Sequence, residues 1–209
     1  MHRTRNTTAP DNNDTLAWLS LMQHHGAPTR LLDWSYSPFV AAFFGLDALL
    51  KSGCEARQAA VWALSYKPLA GAQHLVPKHL QQAFEEHAKT RDGGPFRTVF
   101  MDAEPPITFA AIVNPYRLHE RLVLQQALFL CPGNICRPFE ENLLALPGIL
   151  DGAKLRKILL PYGVLSDAFR SLQAMNISHR TLFPGIDGLA RSLRHRIDFL
   201  RATLQLGTY

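Results

Sequence analysis

Apolar residues recur at helical spacing in five places along this chain, and each run carries its own start and stop signals. Leu16, Trp18, Leu19 and Leu21 follow Asp14, a good helix cap, and Gly26 can end that run in a left-handed conformation. Phe39, Val40, Phe43, Leu46, Leu49 and Leu50 give a second helix, capped by Ser37, entered through Pro38 and stopped at Gly53. Leu80, Phe84 and Ala88 predict a helix from Pro77 to about Arg91, ended by Asp92-Gly93-Gly94-Pro95. Ser166 is expected to cap a helix with Phe169 and Leu172 that ends near Asn176. Asp187 is expected to cap a long last helix with Leu189, Leu193, Ile197, Leu200 and Leu204 along one side.

Strand signals fall between these runs. Residues 59–64, with Val61 and Trp62, read as a buried strand, and residues 107–113 and 155–160 as two more, the last ended by Pro161. Residues 120–130 alternate well enough for a further strand, on which Glu120, Leu122, Leu124 and Gln126 would share a face. Residues 29–36 predict an ordered loop or short strand, because Pro28 keeps Ala27 out of the helical region. Helices and strands mix irregularly, so the expected class is α+β: one domain over residues 14–209, a small mixed β-sheet flanked by helices, with 77–95 as a helical insertion. Residues 1–13 read as a flexible polar tail.

Composition changes this picture little. A chain of 209 residues with 47% hydrophobic content can bury one sizeable core. The formal charge of +5 permits an anionic ligand, a nucleotide, RNA or DNA, but scattered basic residues also suit a plain solvated surface. Arg191, Arg194 and Arg201 form a basic edge of the last helix, either solvated or a contact for RNA or phosphate. Cys54, Cys131 and Cys136 are odd in number and irregular in spacing, which argues against a disulfide framework. With only His119 upstream they lack the second ligand pair of a zinc site, so no metal is expected. The polar start, Met1 to Arg5 running into Asn and Thr, is no secretory leader, and no run approaches the roughly 20 apolar residues of a membrane span. The expectation is a cytoplasmic protein with no membrane partner.

The phosphate-loop, dinucleotide-binding and nucleophile-elbow patterns are all missing. Candidate chemistry gathers instead between the first two helices. Arg30 can grip a phosphate or carboxylate with its planar fork. Gln23, His24, His25 and Thr29 offer donors and acceptors, and a His can move protons. Trp34 and Tyr36 offer flat faces for a base or nicotinamide, and Ser37 can cap its helix and touch a ligand. Asp33 can orient Arg30 or a His. The structural alternative is a buried Arg30–Asp33 ion pair that braces the loop.

This stretch carries a resemblance. Gln23-His24-x-Gly26-x-Pro28-Thr29-Arg30-Leu31-Leu32-Asp33-Trp34-Ser35, then Ser37-Pro38-x-x-Ala41-x-Phe43-Phe44, resembles the FRG domain family. Trp62-Ala63-Leu64, Arg121 with Gln125-Gln126-Ala127-x-Phe129, Lys157 to Pro161 and Leu182 to Leu189 agree in order, so the resemblance runs from about residue 15 to 195. The Phe-Arg-Gly motif that names the family is not among the 22 residues before Gln23, which implies an N-terminally shortened member. The family is found in bacteria and in phage-related contexts. Its layout is similar to that of ADP-ribosyltransferases of the Arg–Ser–Glu type. That similarity implies NAD as substrate, a toxin or phage-defence effector, and a nucleic-acid or protein target. It makes Ser35-Tyr36-Ser37 the second element, and places Gln126 and Glu120 as the catalytic pair on the third. Gln126 can hydrogen-bond a ribose hydroxyl but cannot neutralise an oxocarbenium-like cation, and Glu120 would lie about 20 Å away along an extended strand. A non-catalytic module binding nucleic acid or protein is the alternative.

Overall fold

The computed structural model describes residues 9–53, 56–91, 93–115 and 120–206, with side chains at all of these but 153 and 202–206. Cys54, His119, Asp92 and the first eight residues of the expected tail lie outside the described residues. The first helix, α1 (Thr15–His24), starts where expected: Asp14 Oδ1 accepts from Ala17 N–H at 3.0 Å, and Gly26 turns the chain away at φ 85°. Strand β1 (Leu32–Ser35) leads into α2 (Pro38–Lys51), which opens on a Ser37 cap whose Oγ accepts from Val40 N–H at 3.3 Å. Next come β2 (Gln58–Leu64), α3 (Tyr66–Ala70), a 3-10 turn, α4 (Lys78–Thr90) and α5 (Gly93–Phe100). The chain continues through β3 (Ala110–Val113), α6 (Glu120–Leu124), β4 (Ala127–Pro132) and α7 (Phe139–Leu144). It ends with β5 (Leu155–Pro161), α8 (Leu165–Ala174), α9 (His179–Leu182) and α10 (Gly185–Leu206).

The class is α+β, with helices flanking two small sheets. One has the order β1-β4-β3, with β3 and β4 antiparallel from Ala110 opposite Pro132 to Val113 opposite Phe129. The other is the antiparallel pair β2 and β5, from Gln58 opposite Pro161 to Leu64 opposite Leu155. The domain divides into two compact units. The first comprises residues 1–33, 66–117 and 129–149; the second comprises 34–65, 118–128 and 150–209. Strands β1 and β4 run across the boundary in sequence.

The first unit is built on aromatic rings. Phe96 and Phe100 stack at 4.9 Å, Phe100 and Phe109 at 5.4 Å, and Phe84 meets Phe109 edge-on at 5.9 Å. The 77–95 segment therefore contributes Phe84 and His87 to this cluster. The second unit is centred on Val40, Phe43, Leu46, Leu49 and Leu50 of α2, packed with Leu165, Phe169 and Leu172 of α8 and with Leu182 and Phe183.

Four local expectations are corrected. Residues 120–130 are not one strand: α6 takes the first five, Gln126 adopts φ 48°, and only then does β4 begin. Glu120 and Gln126 therefore share no strand face, and the 20 Å strand spacing does not apply. The strand at 58–64 is present but not buried; it alternates, and Trp62 is half exposed beside Lys157, whose Nζ sits 5.5 Å from the ring. Gly93-Gly94-Pro95 does more than end a helix, because α5 begins there; Pro is suited to a first helical turn, where its missing N–H has no partner to lose. Helix α8 starts at Leu165 with Val164 as its cap residue, so Ser166 is already inside it. No helix among the described residues is long and apolar enough to cross a membrane.

Candidate functional site

Within the first unit the polar loop closes on itself. Gln23, on the last turn of α1, accepts from the Thr29 hydroxyl and donates from Nε2 to Asp33 Oδ1 at 2.8 Å. The Thr29 hydroxyl in turn accepts from Leu31 N–H at 3.2 Å. Asp33 is therefore held by Gln23, and the Arg30–Asp33 pair is not among the ion pairs of the described residues. Arg30 donates instead to backbone: to the Phe100 carbonyl, to Pro132 O at 2.6 Å and to Gly133 O at 3.2 Å, with Met101 Sδ at 3.1 Å. A planar fork suits this task, since its N–H groups diverge to separate carbonyls. Gly133 is needed there; a Cβ would meet the Ile107 carbonyl oxygen at 2.3 Å and the Phe109 ring at 2.4 Å. Beside this clamp, burial pushes the Cys131 thiol up to about 12, against the smaller opposing pull of Arg30. His24 and His25 are exposed, their rings edge-on at 5.1 Å.

In the second unit, β1 ends against the turn before β4. Ser35 Oγ donates to the Gln125 carbonyl at 2.8 Å, and Tyr36 N–H donates to the Gln126 carbonyl at 2.9 Å. Ser37 N–H donates to Ser35 Oγ at 3.0 Å. Gln125 is buried and donates to the Leu182 carbonyl at 3.1 Å, whereas Gln126, Glu120 and Tyr36 are exposed. Trp34 is partly buried, and its indole nitrogen has no hydrogen-bond partner among the described residues.

Sequence reasoning missed a charged cluster in the same unit. Asp47, on the buried face of α2, is 5% exposed. His179 Nε2 and His195 Nδ1 lie 2.8 and 3.2 Å from its Oδ1, and Lys51 Nζ lies 2.6 Å from its Oδ2. A Ser178–Thr181 capping box starts α9 and places His179 in its first turn. Phe43, Phe169, Phe183 and Phe199 surround the two imidazoles with rings. Burial raises the Asp47 pKa, but the hydrogen bonds from His179, His195 and Lys51 together outweigh it and hold the carboxyl well below its usual range. Two His and one carboxylate, with ligand atoms all within 4.8 Å, are also a donor set for a transition metal. Lys51 on the same carboxylate already supplies the compensating positive charge. The signal in the sequence was an acid among the apolar positions 46, 49 and 50.

Lys51 leads outward from this cluster to a cavity of about 740 Å³. Its lining includes Lys51, Arg191, Arg194 and Arg201, with Asp198, Tyr162 and Leu50. Three arginines and one acid share this lining, and Lys51 is already paired with Asp47. Arg191 is steadied by the Phe183 ring, its guanidinium carbon 4.5 Å from the centroid. The basic edge read from the sequence thus contributes to the lining of this cavity, with its three arginines exposed.

The FRG domain family model matches residues 1–53 of this chain. No curated protein and no solved structure matches it.

Proposed function

Starting from the FRG domain present in this chain, we propose that the protein is a binding module for the phosphate groups of nucleic acid, held in the cavity between α2 and α10. The observation that carries this reading is the lining itself: Lys51, Arg191, Arg194 and Arg201 around one cavity, with Asp198 as the lone acid in that lining. Arginine forks match phosphate oxygens bidentately, and Lys51 adds a point charge whose position Asp47 fixes. The net charge of +5 favours approach of a polyanion from a distance.

Binding of a fluorescent single-stranded RNA, a single-stranded DNA and a duplex, each titrated across salt, tests it. Neutralising three or four phosphates gives a log–log salt slope of roughly −2 to −4. Arg191→Ala and Arg194→Ala each weaken binding roughly tenfold and reduce the slope by about one, while His24→Ala leaves both unchanged. Salt-independent binding, or equal affinity in the arginine variants, overturns the reading.

A second reading rests on a different observation. The Ser35-Tyr36-Ser37 element is hydrogen-bonded directly to Gln125 and Gln126. The resemblance to ADP-ribosyltransferases makes these two segments its second and third elements, with NAD as substrate. In this reading Gln126 orients a ribose hydroxyl, and charge stabilisation has to come from another group. Incubation with labelled NAD and RNA, DNA or protein targets decides it: NAD loss that depends on Gln126 supports transfer, and intact NAD in every mixture removes this reading.

A further inference from the structure

Helix α10 has two faces with opposite fates. His195 and Phe199 turn inward, their rings 4.5 and 6.0 Å from that of Phe169. On the other side Ile186 is 81% exposed, Leu189 47%, Leu193 53% and Ile197 52%, and Leu200 continues the row at 61%. A single exposed Leu needs no explanation, but a row of large apolar side chains along one anchored helix does. The steps along it are three, four, four and three residues, which keep the row on one side of the helix. At about 100° per residue these positions fill a stripe only about 80° wide.

The borders of the stripe say what covers it. On the same wheel Arg194 and Arg201 flank one edge and Arg196 the other. The two acids of α10, Asp187 and Asp198, lie farther round, next beyond Arg194 on the same side. We infer that α10 docks an acidic amphipathic helix from another protein, with apolar residues on its seam and Glu or Asp flanking it, the two helices packing side by side. A second copy of this chain would set Arg edges against Arg edges, a like-charge pairing that costs stability.

The test uses the full chain and designed 28-residue peptides, about four heptads long. One has Leu on the seam and Glu at the flanking positions, one has Lys at those positions, and one is a scramble of the Glu peptide. Fluorescence anisotropy is expected to show saturable binding of the Glu peptide, at least tenfold tighter than the Lys peptide or the scramble. Leu193→Lys and Ile186→Lys each reduce that binding at least tenfold, and both keep the parent melting midpoint because their side chains are exposed. Arg196→Glu, on the edge away from the cavity, reverses the preference toward the Lys peptide. Equal binding of the scramble means attraction by charge alone and overturns the inference. So does binding of anionic vesicles without the Glu peptide, or a concentration-dependent dimer that Leu193→Lys abolishes.

Discussion

Asp47→Ala lowers the stability of this protein by about 3–5 kcal/mol, the largest effect expected of any single substitution here. The carboxylate has two imidazole N–H groups on one oxygen and the Lys51 ammonium on the other. Removing it leaves the two imidazoles without their acceptor among Phe rings, while Lys51, half exposed, can turn to water. Asp47→Asn keeps the shape but loses the charge, so it should fall between parent and Ala. Urea titration measures both, and a loss below about 1 kcal/mol for Asp47→Ala would show that the cluster does not hold α2, α9 and α10 together. The same residue sets an acid limb. Its folded-state carboxyl lies below the ordinary value of 3.8, so its stabilisation is complete above that value and is lost as pH falls further. The parent melting midpoint should therefore drop more steeply below about pH 4 than that of Asp47→Asn.

Arg30→Ala is expected to cost about 2–4 kcal/mol, because the carbonyls of Phe100, Pro132 and Gly133 lose their donor together. Asp33, which the sequence offered as the partner left behind, keeps its bond from Gln23. Arg30→Lys restores less than half of the loss, since one ammonium cannot span carbonyls on both the α5 end and the β4 end. Urea midpoints give the energies, and faster amide exchange of Gly133, whose N–H donates to the Phe109 carbonyl, locates the damage. An Arg30→Ala protein within about 0.5 kcal/mol of the parent would rule out the clamp.

What the sequence made legible was local. Asp14, Gly26 and the Ser37-Pro38 pair marked helix ends because caps act on their own chain neighbours. The family match covers residues 1–53, the part of the chain that holds the longest motif string. Residues 120–130 misled because a five-residue helix followed by a left-handed Gln126 shows apolar positions compatible with either period. The Asp47 cluster was beyond local reading, since its two His partners lie 132 and 148 residues away in sequence. Arg30 was read as a ligand-binding fork or as the partner of Asp33, but its partners here are main-chain oxygens, which no sequence pattern displays.

The stretches of the two units are also synthesised at different times. Each is made of three separated stretches, so neither can be completed by one continuous piece of chain. The stretches of the first all lie within residues 1–149, whereas the second includes residues 150–209. At roughly 5–20 residues per second, those last residues take a few seconds to emerge. During that interval α2 exists without α8, α9 and α10, and Asp47 has met neither histidine. The apolar face of α2 is then the surface a nascent-chain chaperone would meet.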